Sequence, residues 1–204
     1  MAWAPDYVTS AELKAFLRIS DTDDDAQVAL AITAASRAVD THCGRQFGVV
    51  AAAEQRFYTG QWDRRICRWV VVFDDLMSTT NFAAIVQDED GVTVGTIDEY
   101  ALEPRNAAAK GRPWTQMVVL LNSAQQPTGA RDEVAVTALW GWSAVPSAVK
   151  QATLLQASRI FARRQSPYGI AGSPDDGSEM RLLARVDPDV AVVLNPYRRW
   201  WAAA

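Results

Sequence analysis

The chain has little of what reactive centres are usually built from. Its 204 residues hold two cysteines, Cys43 and Cys67, and one histidine, His42. Two cysteines are too few for a disulfide framework and read as reduced thiols that behave as small hydrophobes. Beside a lone histidine they leave no paired-ligand spacing for zinc. The run Asp21-Thr22-Asp23-Asp24-Asp25 would need a glycine at position six and a glutamate at position twelve to be a calcium loop; Ala26 and Ile32 stand there instead. It reads better as the acidic first turn of a helix, facing the positive end of the macrodipole. Glycine-rich phosphate loops, a Walker lysine, a dinucleotide fingerprint and a nucleophile elbow are missing as well. His42 and Cys43 are helix neighbours whose side chains point apart, and His42 falls on the stripe of Val28 and Val39, as a partly buried structural residue would. No catalytic, cofactor-binding or metal-binding residue is assigned.

Long apolar runs are also missing. The longest aliphatic stretches, 69–73 and 117–121, are five residues each, against the ~20 that a membrane helix needs. No membrane contact is expected. Residues 1–6 have neither a basic segment nor an apolar run, so no secretory signal is expected. Lysine is scarce: Lys14, Lys110 and Lys150 are the three among 20 basic residues, and the remainder are arginine. The net charge of −4 gives no global basic field to hold nucleic acid.

The composition that remains, 49% hydrophobic and 22% charged, is that of a chain with a real core. Its periodicity changes twice. In residues 1–48, Thr9 with Glu12 three residues on makes a capping box, followed by Leu13, Phe16 and Leu17 on one face of a short helix. From Ala26, Val28, Ile32, Ala35 and Val39 repeat at helical spacing, flanked by Leu30, Ala34 and Ala38, with Gly44 as the stop. Residues 49–143 read instead as short β-branched and aromatic runs over 56–59, 66–73, 82–87, 92–97, 100–103, 117–121 and 134–140, parted by turn residues such as Asp88-Glu89-Asp90-Gly91. Beyond them Pro146 is placed at the first position of a helix carrying Leu154, Ala157 and Phe161. A Gly/Pro/Ser/Asp-rich loop over 166–177 follows, then helices over 179–186 and 188–194. The fold class expected is α+β: a small helical bundle of N- and C-terminal helices, 1–48 with 144–195, an inserted antiparallel β module, 49–143, and a tail, 196–204.

The tail concentrates residue types found at interface hot spots. Tyr197, Arg198, Arg199, Trp200 and Trp201 follow Leu194, Asn195 and Pro196. Either the tryptophans seat on a partner or they fold back onto their own domain.

Several segments together resemble the head-tail connector (adaptor) proteins of long-tailed, siphovirus-type bacteriophages. They are the opening Tyr7-Val8-Thr9-Ser10-Ala11-Glu12-Leu13-Lys14-Ala15-Phe16-Leu17 and the helix ending Thr41-His42-Cys43-Gly44-Arg45-Gln46-Phe47. Arg56-Phe57-Tyr58, Tyr100-Ala101-Leu102-Glu103-Pro104-Arg105-Asn106 and Gly141-Trp142-Ser143 continue the pattern, and Leu194-Asn195-Pro196-Tyr197-Arg198-Arg199 closes it. Trp200 and Trp201 depart from it. The resemblance implies a non-enzymatic virion protein at the head-tail interface, assembled in the host cytoplasm into a homo-oligomeric ring, typically of twelve copies. Such a ring lies beneath the portal protein, extends the DNA channel, helps retain packaged double-stranded DNA without reading its sequence, and offers a surface to downstream neck, stopper or tail proteins. It also implies that Leu194 to Arg199 contact the portal; Trp200 and Trp201 join them on chemistry alone. The alternative is a DNA-binding packaging factor of the small-terminase kind. Against it, a helix led by Asp23, Asp24 and Asp25 would meet phosphates with like charge.

Overall fold

The computed structural model describes residues 3–163, 170–171, 180–181 and 188–199. Thr9 opens α1 (Ser10–Leu17) with a full capping box: its hydroxyl accepts from the Glu12 amide at 3.2 Å, and the Glu12 carboxylate accepts from the Thr9 amide at 2.7 Å. α2 (Asp25–Cys43) buries Val28, Ile32, Ala35 and Val39, the positions its spacing marks, together with Ala31, Ser36 and Cys43. Gly44 ends it in the left-handed region at φ 63°, where a Cβ would be penalised. α3 (Ser147–Ala162) starts one residue later than its sequence predicts, because Pro146 is extended (φ −58°, ψ 143°) and caps the helix rather than joining it. α4 (Pro188–Leu194) runs into a 3-10 turn, Asn195–Tyr197.

Val8, Leu13, Val28, Ile32, Ala35 and Ala157 form the helical core, with Leu17, Leu154, Ile160 and Phe161 partly buried against it. Two expectations fail here. Phe16 is 42% exposed: an eight-residue helix turns only a narrow stripe inward, and Leu13 and Leu17 occupy it. The helix expected over 179–186 does not form at its start, since Met180–Arg181 pair antiparallel with Ile170–Ala171. The rest of that stretch, and the rest of the 166–177 loop, lie outside the described residues.

Residues 48–144 make a compact unit of their own, as do residues 1–47 with 145–204. The first of these is two four-stranded antiparallel sheets. One runs β1 (Glu54–Tyr58), β8 (Val134–Ala138), β4 (Ala83–Gln87), β5 (Thr93–Thr96); the other runs β2 (Gly60–Asp63), β3 (Arg68–Leu76), β7 (Trp114–Val119), β6 (Tyr100–Glu103). β1 passes into β2 through Thr59 alone, and β5 into β6 across residues 97–99, so the edge strands of one sheet lead directly into those of the other. β2 lies outside the strands expected from sequence. Gly60-Gln61-Trp62-Asp63 has little β propensity of its own and pairs because β3 offers it a register, Trp62 opposite Trp69. Ile66 and Cys67, expected to begin a strand, lie in the turn before β3, Cys67 at φ 51°.

The sheets close on an aromatic centre. Trp140 sits 5.7 Å from both Tyr58 and Phe73, ring centroid to centroid, and its indole N–H donates to the Glu54 carbonyl at 2.8 Å. Val71, Met117, Val119, Val134 and Val136 are fully buried around it, each contributing roughly 1.5–3 kcal/mol of transfer free energy.

The two ends of the β unit are joined by main-chain hydrogen bonds. Trp142 N–H donates to the Gly48 carbonyl (2.7 Å), Val50 N–H to the Trp140 carbonyl (3.0 Å) and Gly141 N–H to the Asp75 carbonyl (2.6 Å). The buried Asp75 carboxylate in turn accepts the Trp142 indole N–H at 2.8 Å. Gly141, at φ 110°, leaves no room for a side chain: a Cβ there would stand 2.0 Å from the Gly48 carbonyl oxygen. Gly141→Ala should therefore destabilise the β unit by about 3 kcal/mol or more, through combined overlap and strain. Denaturant unfolding followed by tryptophan fluorescence measures it, and a change below 1 kcal/mol would contradict this packing.

Candidate functional site

The segment that the sequence marks for partner binding is anchored at its base. Leu194 is fully buried in the helical unit. Tyr197 meets Phe47 edge-to-face, centroids 5.9 Å apart at 78°, and Phe47 meets Tyr7 the same way at 5.6 Å and 80°. Such pairs contribute about 0.5–1.5 kcal/mol each beyond burial. The Arg199 amide donates to the Cys43 carbonyl at 2.8 Å, capping the end of α2, and the Arg199 backbone passes within 3.6 Å of where a Cβ on Gly44 would be. Asn195, Pro196 and Arg198 are exposed. Trp200 and Trp201 lie outside the described residues.

A buried polar cluster holds this aromatic row. The Tyr7 hydroxyl donates to the Asp40 carboxylate and accepts from the Phe47 amide at 3.0 Å. Arg37 pairs with Asp40 at 2.9 Å and donates to the Pro5 carbonyl at 2.6 Å, and the Tyr7 amide donates to the Ser36 hydroxyl at 3.2 Å. Burial raises the Tyr7 pKa far above its ordinary value, and its hydrogen bond to Asp40 raises it further. Burial also raises Asp40, against the opposing pull of Tyr7 and Arg37. The cluster ties the N-terminal segment to the end of α2. Tyr7, Phe47 and Tyr197 come from three of the sequence segments that carry the family resemblance, and the fold brings them together. Asp40 escaped sequence reading, although its i,i+3 spacing from Arg37 was visible.

The remaining reactive residue types have structural places. His42 is half-buried, its pKa lowered by that burial and by Arg198. Cys43 is 1% exposed and its thiol is pushed up to about 12 by burial. Asp74 pairs with Arg56 (2.8 Å) and accepts from the Tyr58 hydroxyl (3.0 Å), while Asp75 faces Trp142, so the adjacent carboxylates diverge to different partners. Glu133, 4% exposed, accepts from the Gly129 amide (2.7 Å) and the Thr128 hydroxyl (2.7 Å) and pins the loop before β8. Of the acidic run, Asp25 pairs with Lys14 at 2.6 Å and Asp21 accepts from the Asp23 amide. Among the described residues no group of three or more His, Cys, Asp or Glu side chains is placed to hold a metal ion. No described helix is long and apolar enough to cross a membrane. What the helical unit does present is an exposed stretch of small and apolar residues on α2, with Ala26, Ala29, Ala34 and a 71%-exposed Leu30.

Residues 8–61 match the family described as "Phage gp6-like head-tail connector protein", the kind of protein that the N-terminal motifs resemble. Among solved structures the chain is similar to one described as "Neck of empty GTA particle computed with C6 symmetry", with TM-score 0.60 and 18% identity over 97% of this chain and 93% of that one. It is also similar to one described as "Neck of native GTA particle computed with C12 symmetry", with TM-score 0.51 and 18% identity over 97% and 92%. No curated protein matches the sequence. The α+β architecture, with helices at both ends and a β module between, is thus one found in the necks of phage-like particles.

The anchoring of the C-terminal segment can be read through the two thiols. Burial shields Cys43 and pushes its thiol up to about 12, so alkylation of the native protein at pH 8 should label the exposed Cys67 and spare Cys43. Tyr197→Ala, by releasing the segment from Phe47, should raise Cys43 labelling at least tenfold by mass spectrometry; an unchanged rate would show that Tyr197 does not hold the segment down.

Proposed function

We propose that this chain is a structural protein of the neck of a tailed phage or phage-like particle, where copies of it form a ring between portal and tail. The observation that carries the reading is the coincidence of two likenesses. The connector family matches 8–61, which is α1, α2 and the start of the β unit, and a neck fold covers 97% of the chain. The reading assigns no catalytic group and no cofactor; the protein works through its surfaces.

In this reading residues 1–48 with 144–195 are the ring-forming domain. The outer surface of α2 supports it, since small side chains let neighbouring helices approach closely and Leu30 has apolar area left to bury. Twelve copies is the expected number, in keeping with the C12 symmetry of one neck structure. The ring extends the channel beneath the portal, helps retain the packaged double-stranded DNA and presents a surface to downstream neck, stopper or tail proteins. A net charge of −4 suits a passage through which DNA slides, because phosphate contacts would make it stick. Leu194 to Trp201 form the portal contact, with Leu194 and Tyr197 fixing the base and Asn195, Pro196, Arg198 and the residues after Arg199 offered to the partner.

Particle averaging of the purified or particle-bound protein tests the ring: a twelve-fold ring at the head-tail interface is expected, and a solitary subunit that turns over a substrate would end the proposal. The portal contact is tested separately. Because Tyr197 and Arg199 hold the segment to its own domain, the informative truncation removes 200–204 and no more. Combined with Arg198→Ala it should abolish capture by the portal protein in a pull-down while leaving the unfolding transition in place. Unchanged capture would remove this segment from the portal interface.

A further inference from the structure

Two turns of the β unit carry opposite charge, with Asp88, Glu89 and Asp90 exposed on one and Arg64 and Arg65 exposed on the other. The β4–β5 turn holds Asp88, Glu89 and Asp90. It is a firm protrusion: the Asp88 amide donates to the Val92 carbonyl at 3.0 Å, and the Asp88 carboxylate accepts from the Val92 and Asp90 amides at 2.8 and 3.1 Å. Gly91, at φ 78°, has nothing within 4 Å of where a Cβ would be. Val92 and Val94 behind the acidic tip are 61% and 57% exposed.

The β2–β3 turn is the counterpart. Arg64 and Arg65 lie in it and Arg68 follows it, with Asp63 3.5 Å from Arg65. Trp62, edge-on to Trp69 at 5.4 Å, and Ile66 are 46% and 47% exposed. They wall a groove of about 610 Å³ that runs over β3, β7 and β6 past Val72 and Gln116; Arg64 and Arg65 are its bases, and Asp63 and Glu103, the latter accepting from the Gln116 side-chain amide at 3.0 Å, its acids. Tryptophan, isoleucine and arginine around a concavity are an anchor site of the hot-spot kind.

The acidic turn joins strands of one sheet and the arginine turn strands of the other, and the groove lining includes no residue of the acidic turn. A head-to-tail ring needs two different, mutually complementary patches on every subunit. Three carboxylates on an aliphatic projection, and the arginines of the β2–β3 turn beside an aromatic groove, offer such a pair on a single unit.

Building on the ring reading above, we propose that the β unit makes a ring contact of its own: the acidic β4–β5 turn of one copy seats in the arginine-rimmed groove beside the β2–β3 turn of the next. The pre-formed turn lowers the ordering cost of the contact, and the charges set which patch meets which.

The test is a charge swap read by sedimentation velocity and native mass spectrometry of the full chain. One variant carries Arg64→Glu and Arg65→Glu; the other carries Glu89→Lys and Asp90→Lys, leaving Asp88 to hold the turn. Each alone places like charges across the contact and should need at least an approximately hundredfold higher concentration to assemble. An equimolar mixture of the two restores opposite charge at every contact and should assemble like the parent, as should one chain carrying all four changes. A misfolded variant would not be rescued by mixing, so recovery separates charge pairing from damage. Parent-like assembly of both single-patch variants, or loss that neither mixing nor the four-change chain repairs, overturns this contact and leaves the ring standing. A parent chain that stays monomeric at every concentration and in the particle overturns the ring reading and this contact with it.

Discussion

The β unit depends on a pairing of main chain at its own two ends. A segment that leaves a helical unit at residue 47 and returns at 145 must bring its first and last strands to one place. Here residues 48–50 and 140–142 are hydrogen-bonded to each other, with Gly141 pressed against the Gly48 carbonyl and bonded to Asp75. A left-handed residue with no Cβ is the chemistry that contact demands. Trp140 and Trp142 on either side then commit their indole N–H groups to the Glu54 carbonyl and the Asp75 carboxylate. The same three residues therefore close the unit and fill its core, and large aromatic side chains at a chain crossing need polar partners to be buried without penalty.

In the helical unit the corresponding constraint is the row Tyr7, Phe47 and Tyr197, which ties the segment before α1, the end of α2 and the segment after α4 to one another. Because the Tyr7 hydroxyl is held by Asp40 and the Phe47 amide, the row cannot slide without uncovering buried polar groups. The row fixes Tyr197, and with it the Arg199 main chain, against the end of α2.

Both units share a way of working. Several carboxylates work inside the fold: Asp40, Asp75 and Glu133 each hold two parts of the chain together, and Cys43 is shielded. Leu30 on α2 and the two oppositely charged turns of the β unit stay on the outside. Such an organisation suits the structural role proposed above, and residues 8–61 match the connector family.

The helices were legible because their determinants are local. Thr9 with Glu12, the 4-3-4 spacing from Val28 to Val39, and Gly44 as terminator each act within a turn or two, and the Asp88-Glu89-Asp90-Gly91 turn announces its hairpin in the same way. The motifs of Tyr7, Phe47 and Tyr197 could be read as a family pattern, but not as one row of rings, since that depends on residues 40 and 150 positions apart in the chain. β2 was illegible because its four residues have no strand preference until β3 supplies hydrogen-bond partners. Gly141 looked like an ordinary glycine before a tryptophan until the first and last strands met there. The sequence alone decided composition, the limits of α1 and α2 and the sign of each turn; tertiary structure decided which rings touch and which carboxylates are buried, because each of those is a contact between residues that local forces never bring together.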